Sequence, residues 1–387
     1  MHRGHPDLLL AGVGRPARPA RAGDLDGPGQ GPRRRPQPRG VPRRGLRADL
    51  HRPVGQSRAL LPQPRDHREG RQPRGQQPRR RRPRALRLLG APRAVTVLLA
   101  TSGGLPRGEP GAAVLDAALR ERDIEFAWAR WDDPAVDWAA ADLVAVRSTW
   151  DYVTRHTEFL AWASSLDQSR LLNGADVFAW NHDKRYLTDL GDLPAVPTLL
   201  ADDRAGLADA VRRFGTAVVK PRVGAGGAGL LVVTDPDDPR LGRPVRSHPD
   251  HPELDGPWVV QPLVESIREH GEASVYVIDG RLGQRFAKLP GEDDVRVNEE
   301  FGGRVRAVAT GDVGDLAMRA HDAMVERFGR PVDYLRVDLL RWEGSWVVSE
   351  LELIEPGLYL DVSPANAGPF ADLLAARRRT HAWNGPV

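Results

Sequence analysis

The pattern of hydrophobic and polar positions changes at Ala94, where regular secondary structure is predicted to begin. Short apolar runs rich in β-branched residues predict three buried strands, and two amphipathic stretches predict helices between or after them. These elements span 95–102, 111–122, 124–131, 141–149 and 155–168. Because strand–helix–strand alternation is typical of a parallel sheet covered by helices, residues 94–178 are predicted to form a small α/β domain.

Two further units are predicted to follow. The second, 179–264, begins with a predicted helix over 182–190 and contains a glycine-rich turn at 223–233 that leads into a strand. The third, 265–387, combines strands with one long helix. The remaining predicted strands span 216–221, 257–264, 272–279, 281–288, 303–309, 333–340 and 345–354, and the long helix spans 312–328. The body is therefore predicted to be α/β with α+β character.

The N-terminal extension, 1–93, differs from this body in composition and charge. Residues 1–94 hold 24 Arg, no Lys and 6 Asp or Glu, a net charge of +18, whereas the remainder carries −14. All the aromatic residues lie in the body, and a segment without them buries too little apolar surface to offset its ordering entropy. Three interpretations stay open: a disordered Arg/Pro-rich extension, an arm for nucleic acid or acidic partners, and a start site assigned too early. The lack of aromatic residues for base stacking argues against nucleic acid.

Composition also excludes several kinds of site. The chain has no cysteine, which excludes a disulfide scaffold, a thiolate metal site and a cysteine nucleophile. No apolar stretch approaches the roughly 20 residues of a membrane-spanning helix, and the run at 8–13 is too short for a signal peptide. The sequence therefore predicts no membrane partner and a cytoplasmic location.

The three lysines are candidate binding residues, because the chain otherwise uses 53 arginines for positive charge. They are Lys184, Lys220 and Lys288. A lysine ammonium is a compact point charge, which suits a defined anion contact. Lys220 ends a predicted strand just before four glycines, and such a loop lets backbone N–H groups approach phosphate oxygens closely. The alternative is a flexible hairpin without a ligand.

Acidic residues form the second candidate site. Asp338 lies in one predicted strand, and Glu350 and Glu352 lie two residues apart on one face of the next. Like charges among Val, Leu and Ile are costly unless a cation neutralises them. Oxygen ligands suit Mg²⁺ bound together with phosphates, with Mn²⁺ as an alternative ion. The competing interpretation is a solvent-facing strand edge.

Taken in order, these lysines, glycines and carboxylates resemble the ATP-grasp superfamily over about 181–366, and the unit at 95–175 resembles its usual preceding domain. The resemblance implies an ATP-grasp fold and an ADP-forming carbon–nitrogen ligase that uses ATP and Mg²⁺. The implied substrate is a small, amino-acid-like carboxylate, joined to an amine or cyclised through an acyl phosphate. A homodimer is a common assembly in this superfamily and is expected here on that ground alone.

The resemblance also implies roles for individual residues. The residues implied to contact ATP are Lys184, Lys220, Gly224, Gly226, Gly227, Gly229, Gln261, Leu263, Val264, Glu265 and Lys288. The residues implied to hold the metal are Asp338, Glu350 and Glu352. The residues implied to act in catalysis are Arg296, Lys288 and Asn298. The candidates for substrate recognition, at the end of the third predicted strand, are Arg147, Ser148, Asp151 and Tyr152.

A narrower likeness rests on the strings WDDPAVDW, VRSTWDY, WNHDKRYL, RVNEEFGG and SELELIEP. They resemble the actinobacterial ATP-grasp group that includes O-ureido-D-serine cyclo-ligase, which implies a role in natural-product biosynthesis. Two positions depart from the superfamily pattern: Glu352 stands where Asn is usual, and Gln261 stands where Glu is common. The alternative function is an Arg-tailed nucleic-acid-binding or scaffold protein with a degenerate ATP-binding body. The complete set of lysines and carboxylates favours the ligase.

Overall fold

The computed structural model describes residues 96–249 and 251–383, with side chains described as far as Arg379. The extension 1–93, with its three interpretations, lies outside the described residues. The strands are β1 Thr96–Thr101, β2 Glu125–Arg130, β3 Leu143–Ser148, β4 Leu199–Ala201, β5 Ala217–Pro221, β6 Leu231–Val233, β7 Trp258–Pro262, β8 Glu272–Ile278, β9 Arg281–Leu289, β10 Arg304–Val308, β11 Tyr334–Trp342 and β12 Ser345–Glu352. The helices are α1 Ala112–Arg120, α2 His156–Ser165, α3 Ala175–Asn181, α4 Arg204–Phe214, α5 Ile267–His270, α6 Gly314–Phe328 and α7 Ala367–Trp383. No helix in these two ranges combines the length and the apolar character that crossing a membrane requires.

The first sheet contains three parallel strands in the order β2-β1-β3. Val97 of β1 lies opposite Phe126 of β2 and Leu143 of β3. Strands β1 and β3 are buried along almost their whole length, which explains why they form continuous apolar runs rather than an alternating pattern. The prediction of a parallel α/β arrangement is confirmed.

Two antiparallel sheets follow along the chain. The four-stranded sheet has the order β4-β7-β5-β6, and the five-stranded sheet has the order β10-β9-β8-β11-β12. Asp338 of β11 lies opposite Ser274 of β8 on one side and Glu350 of β12 on the other. Lys288 of β9 lies opposite Glu272 of β8. The register therefore places four charged side chains on adjacent strands of one sheet.

Helix α7 joins the first sheet to the five-stranded sheet. Its residues Phe370 and Leu374 are buried in one core with Val97 of β1 and Tyr276 of β8. Because a single core spans both sheets, the loops after β1 and β3 are held close to the segment that follows β12.

The helix predicted over 182–190 is wrong in extent and type. Helix α3 has already ended, and Lys184–Thr188 form a short 3-10 helix. The backbone N–H of Lys184 donates to the carbonyl of Arg222 at 2.8 Å, and the side chain of Asp183 caps the new turn. A tertiary contact therefore interrupts the helix and sets the position of Lys184.

Candidate functional site

Charged side chains from separate parts of the chain line one cavity, which we call the first cavity. Its walls come from the four-stranded and the five-stranded sheets. All six lysines and carboxylates selected from the sequence line it. They are Lys184, Lys220, Lys288, Asp338, Glu350 and Glu352. The tertiary structure thus assembles one charged site from residues that are far apart in the sequence.

Lys184 and Lys220 differ in their partners. The Nζ of Lys184 donates to Glu350 Oε1 at 2.7 Å and to the carbonyl of Gly224 at 2.7 Å. Burial opposes its charge, but Glu350 outweighs burial and raises the pKa of Lys184. Lys220 donates to the neutral Gln261 Oε1 at 3.0 Å, and burial together with Lys184 lowers the pKa of Lys220. A bound anion would therefore favour the charged form of Lys220.

Lys288 and Asp338 form the buried centre of the site. Lys288 Nζ lies 2.9 Å from Glu272 Oε1 and 3.8 Å from Asp338 Oδ1. Asp338 accepts a hydrogen bond from the Ser274 hydroxyl at 2.5 Å. Burial acts to raise the pKa of Asp338, but Arg336 and Lys288 outweigh it and hold that pKa below its usual range. Asp338 is therefore ionised at neutral pH.

Arg336 lines the same cavity and was not among the residues predicted from the sequence. Its buried guanidinium donates from Nη2 to Asp338 Oδ2 at 2.7 Å and to Glu352. It lies two residues before Asp338 on β11, so both side chains share one face of the strand. That spacing, in an otherwise apolar strand, is the signal that could have identified it.

Strand β12, which carries two of the carboxylates, is the edge strand of its sheet. Side chains from α3 and from the 3-10 helix Lys184–Thr188 form hydrogen bonds with its outer edge. The Asn181 amide donates to the carbonyl of Leu351 at 2.8 Å. The Tyr186 hydroxyl donates to the same carbonyl at 2.9 Å and accepts from the Leu351 N–H at 2.8 Å. Because an edge strand otherwise leaves backbone groups unpaired, these bonds fix the strand that presents the carboxylates.

The glycine-rich loop lies over the first cavity. Gly224, Gly226 and Gly227 line it, whereas Gly229 does not. Gly226, Gly227 and Gly229 have φ values of 61°, 70° and 74°, a region that residues with a Cβ adopt only with strain. A Cβ at Gly229 would lie 2.6 Å from Pro221 Cγ. Gly229 is therefore a turn residue, and the other three glycines present backbone to the cavity.

Among the residues implied to contact ATP, the group at 261–265 only partly lines the first cavity. Gln261, Leu263 and Val264 line the first cavity, but Glu265 does not. Glu265 is exposed and pairs with Arg268 at 3.2 Å. This segment therefore brings three of its four predicted residues to the cavity.

Arg296 and Asn298 line the cavity from the loop between β9 and β10. The Arg296 guanidinium pairs with Asp294 at 2.6 Å and lies over the Phe301 ring, 3.6 Å from its centroid. A Cβ at Gly227 would lie 3.0 Å from Asn298 Oδ1 and 3.2 Å from Arg296 Cδ. The glycine-rich loop therefore packs directly against this second loop.

The carboxylates of the first cavity fit Mg²⁺ as part of a nucleotide complex. Among the side chains described, no group of three or more Asp, Glu or His is arranged to hold a metal by itself. Mg²⁺ usually takes one or two carboxylates together with phosphate oxygens. Asp338, Glu350 and Glu352 supply such oxygens, and burial helps to raise the pKa of Glu352 to about 7. A cation beside Glu352 would favour its ionised form.

A second cavity, of about 370 Å³, adjoins the first. The residues that line both cavities are Ala225, Gly226, Ala228, Asn298, Arg336, Glu352 and Glu355. The loops after β1 and β3 contribute Glu109 and Trp150 to the second cavity, and the segment after β12 contributes Tyr359 and Asp361. The first domain thus closes a chamber that opens onto the carboxylates.

The four residues predicted to recognise the substrate mostly lie elsewhere. Arg147 is fully buried and pairs with Glu109 at 2.5 Å, and Ser148 is buried against β1. Asp151 accepts a hydrogen bond from Trp131 Nε1 at 3.0 Å. Of the four, only Tyr152 lines either cavity, the first. The aromatic residue just before Asp151, Trp150, is the part of this segment that faces the second cavity.

Glu355 lies where the two cavities meet and is 7% exposed. Its backbone carbonyl accepts from Trp150 Nε1 at 3.2 Å, and its carboxylate lies next to the Tyr152 hydroxyl. Burial, with the charge of Glu352, raises the pKa of Glu355 to about 8. Among the described side chains, no Lys, Arg or His forms an ion pair with it within 4.0 Å. Sequence reasoning missed this residue, because its burial depends on the first domain.

Comparison with known proteins yields two family matches. Residues 97–173 match the family described as D-cycloserine synthetase DcsG, N-terminal domain. Residues 183–318 match the family described as prokaryotic glutathione synthetase, ATP-grasp domain. The two matches cover the first sheet and most of the segments that build the first cavity.

Individual relatives agree with these matches. The cycloserine biosynthesis protein DcsG of Streptomyces lavendulae is 33% identical over 265 residues, which cover 64% of this chain and 87% of that protein. The glutathione synthetase of Brucella melitensis biotype 1 is 30% identical over 127 residues, which cover 32% of this chain and 38% of that protein. The crystal structure of D-cycloserine synthetase DcsG superimposes with a TM-score of 0.61 at 29% identity, over 73% of this chain and 99% of that one.

Proposed function

This chain belongs to the ATP-grasp ligase family and is related to D-cycloserine synthetase, and from that premise we propose that it is an ATP- and Mg²⁺-dependent carboxylate–amine ligase. Its substrate is a small, amino-acid-like carboxylate, which it joins to an amine or cyclises. The relative from Streptomyces lavendulae carries the name of a cycloserine biosynthesis protein, which supports a role in natural-product biosynthesis.

One observation carries the proposal: three lysines and three carboxylates line a single cavity under a glycine-rich loop. Lysines and backbone N–H groups bind phosphate oxygens, and Lys220 pairs with no carboxylate among the described side chains. Gln261, Leu263 and Val264 supply a mixed polar and apolar edge for the base. Mg²⁺, held by Asp338 with Glu350 or Glu352, would neutralise charge on the phosphates.

The proposed reaction has two steps. A substrate carboxylate oxygen attacks the γ-phosphorus of ATP, which releases ADP and forms an acyl phosphate. An amine nitrogen then attacks the acyl carbon, loses a proton, and displaces inorganic phosphate. In this proposal Arg336, at the junction of the cavities, and Arg296 stabilise negative charge on the oxygens that change bonding.

The same arrangement supplies a way to keep water from the acyl phosphate. The glycine-rich loop packs on the loop that carries Arg296 and Asn298, and these two loops cover the junction between the cavities. Water excluded at this point cannot compete with the amine.

The first test is calorimetric binding of ATP with Mg²⁺ to the full chain and to its Lys220→Ala and Glu350→Ala variants. Each variant should weaken the Kd at least about tenfold, equivalent to about 1.4 kcal/mol, because each removes a charge that contacts the nucleotide or its metal. Arg213→Ala, on the exposed face of α4, is the control and should bind as the wild type does. A folded wild type that does not bind ATP would reject the proposed function.

A further inference from the structure

Glu355 is a buried carboxylate that the chemistry above does not use. The nearest cations are already engaged: Lys184 pairs with Glu350 at 2.7 Å, and Arg336 pairs with Asp338 at 2.7 Å. A buried ionised carboxylate without a positive partner is costly. Because Glu355 lies between the two cavities, a positively charged group of a bound ligand can reach its carboxylate.

The lining of the second cavity as a whole also favours a positively charged ligand. The basic side chains in its lining are Arg336 and His251, and both already face acids, with His251 lying 3.5 Å from Glu300. Within the described ranges, the lining acids outside any ion pair are Glu299, Glu355 and Asp361. The ring of Trp150 adds an electron-rich face that also favours a cation.

The surroundings of Glu355 hold it in place. The bond from Trp150 Nε1 holds its backbone carbonyl, and the Tyr152 hydroxyl lies next to its carboxylate. Trp150 in turn lies tightly on the next loop, since a Cβ at Gly357 would be 3.3 Å from its ring. A fixed carboxylate beside a fixed indole is a preorganised cation subsite.

We propose that Glu355, with the ring of Trp150 beside it, binds the ammonium group of an α-amino acid substrate in the second cavity. This inference rests on the proposed ligase function. In an α-amino acid one carbon separates the ammonium from the carboxylate. An ammonium at Glu355 therefore places the carboxylate at the junction, beside Arg336 and Asn298. The substrate class follows: an acid without the amine lacks the group that this subsite recognises.

The test compares matched acids in an assay of ADP release by the full chain with ATP and Mg²⁺. The probes are the twenty L-amino acids with D-alanine and D-serine, set against lactate and glycerate, in which a hydroxyl replaces the amine. We expect at least one amino acid to raise ADP release tenfold or more over the acid-free rate, and lactate and glycerate to leave it unchanged. Equal stimulation by both classes, or by neither, would overturn the inference.

Glu355→Gln is the decisive variant, because it removes the charge while keeping the size and shape of the side chain. It should raise the KM for the responding amino acid at least tenfold and leave the Kd for ATP and the Mg²⁺ dependence unchanged. Glu326→Gln, an exposed acid on α6, is the matched control. A shifted Mg²⁺ dependence would assign Glu355 to the metal instead. Loss of ATP binding by the wild type would instead be a failure of the proposed function itself.

Discussion

Arg147 and Glu109 form an ion pair of 2.5 Å in which the side chains are 0% and 3% exposed. Arg147 Nη2 also donates to the carbonyl of Pro356 at 2.9 Å, and Glu109 Oε2 accepts from the N–H of Leu358 at 2.6 Å. Together they tie the ends of β1 and β3 to the segment that follows β12. One wall of the second cavity therefore depends on a contact between the first domain and the five-stranded sheet.

Breaking this pair should destabilise the protein strongly. Arg147→Met or Glu109→Leu alone should lower the free energy of unfolding by about 3–5 kcal/mol, because each leaves one buried charge unpaired. The double variant should recover part of the loss, because it leaves no buried charge unpaired, although the carbonyl of Pro356 and the N–H of Leu358 lose their side-chain partners. Denaturant unfolding measures all three. Arg212→Ala, in an exposed pair with Asp209, should change stability by less than about 1 kcal/mol. A double variant as unstable as the single ones would contradict this account.

Stability should fall as pH rises from about 5 to 8, in part through Glu355. Its pKa is about 8 in the fold against an ordinary value of 4.5, so the native state holds a proton that the unfolded state has released. Stability therefore decreases with pH across that window, by at most about 1.4 kcal/mol per pH unit. Urea unfolding of wild type and Glu355→Gln from pH 5 to 8.5 measures this, and the variant should show the shallower slope. Parallel slopes would show that Glu355 titrates normally.

Gly229→Ala should cost more than an alanine at another positive-φ glycine. The new Cβ would lie 2.6 Å from Pro221 Cγ, so both backbone strain and a clash oppose it. Gly191→Ala, with a φ of 60° and no atom within 4 Å of the new Cβ, should lower the free energy of unfolding only by the backbone strain, about 1–2 kcal/mol. Thermal unfolding compares the two, and calorimetry should show weaker ATP binding for Gly229→Ala alone. Equal losses of stability would mean that the loop relaxes around the clash.

Tyr186→Phe should loosen the edge strand that carries Glu350 and Glu352. The hydroxyl makes two bonds to the backbone of Leu351, and its removal should cost about 1–3 kcal/mol of stability. Because the carboxylates sit on this strand, the Kd for ATP with Mg²⁺ should also rise. Hydrogen exchange at the Leu351 amide reports the local effect. Unchanged exchange there would show that the Tyr186 hydroxyl does not protect this part of the strand.

Much of the fold could be predicted from local patterns. The strands at 95–102 and 141–149 were visible because buried parallel strands are continuous apolar runs, and the observed strands lie within those limits. The spacing of Glu350 and Glu352 predicted that both lie on one face of a strand, since residues two apart on a strand share a face, and both line the first cavity. The prediction of a helix at 182–190 was wrong, because the hydrophobic pattern contains no information about the hydrogen bond from the Lys184 N–H to the Arg222 carbonyl.

The sequence by itself determined most of the element types, the family resemblance and six charged residues of the first cavity, since these follow from residue chemistry and short-range spacing. Only the tertiary structure decided which partners those charges take. Arg147 was predicted to contact the substrate, but it forms a buried ion pair with Glu109. Glu355 is a buried acid because Trp150 and Tyr152 of the first domain pack around it. Burial and ion pairing depend on sheet register and on the packing of distant segments, which one-dimensional patterns do not encode.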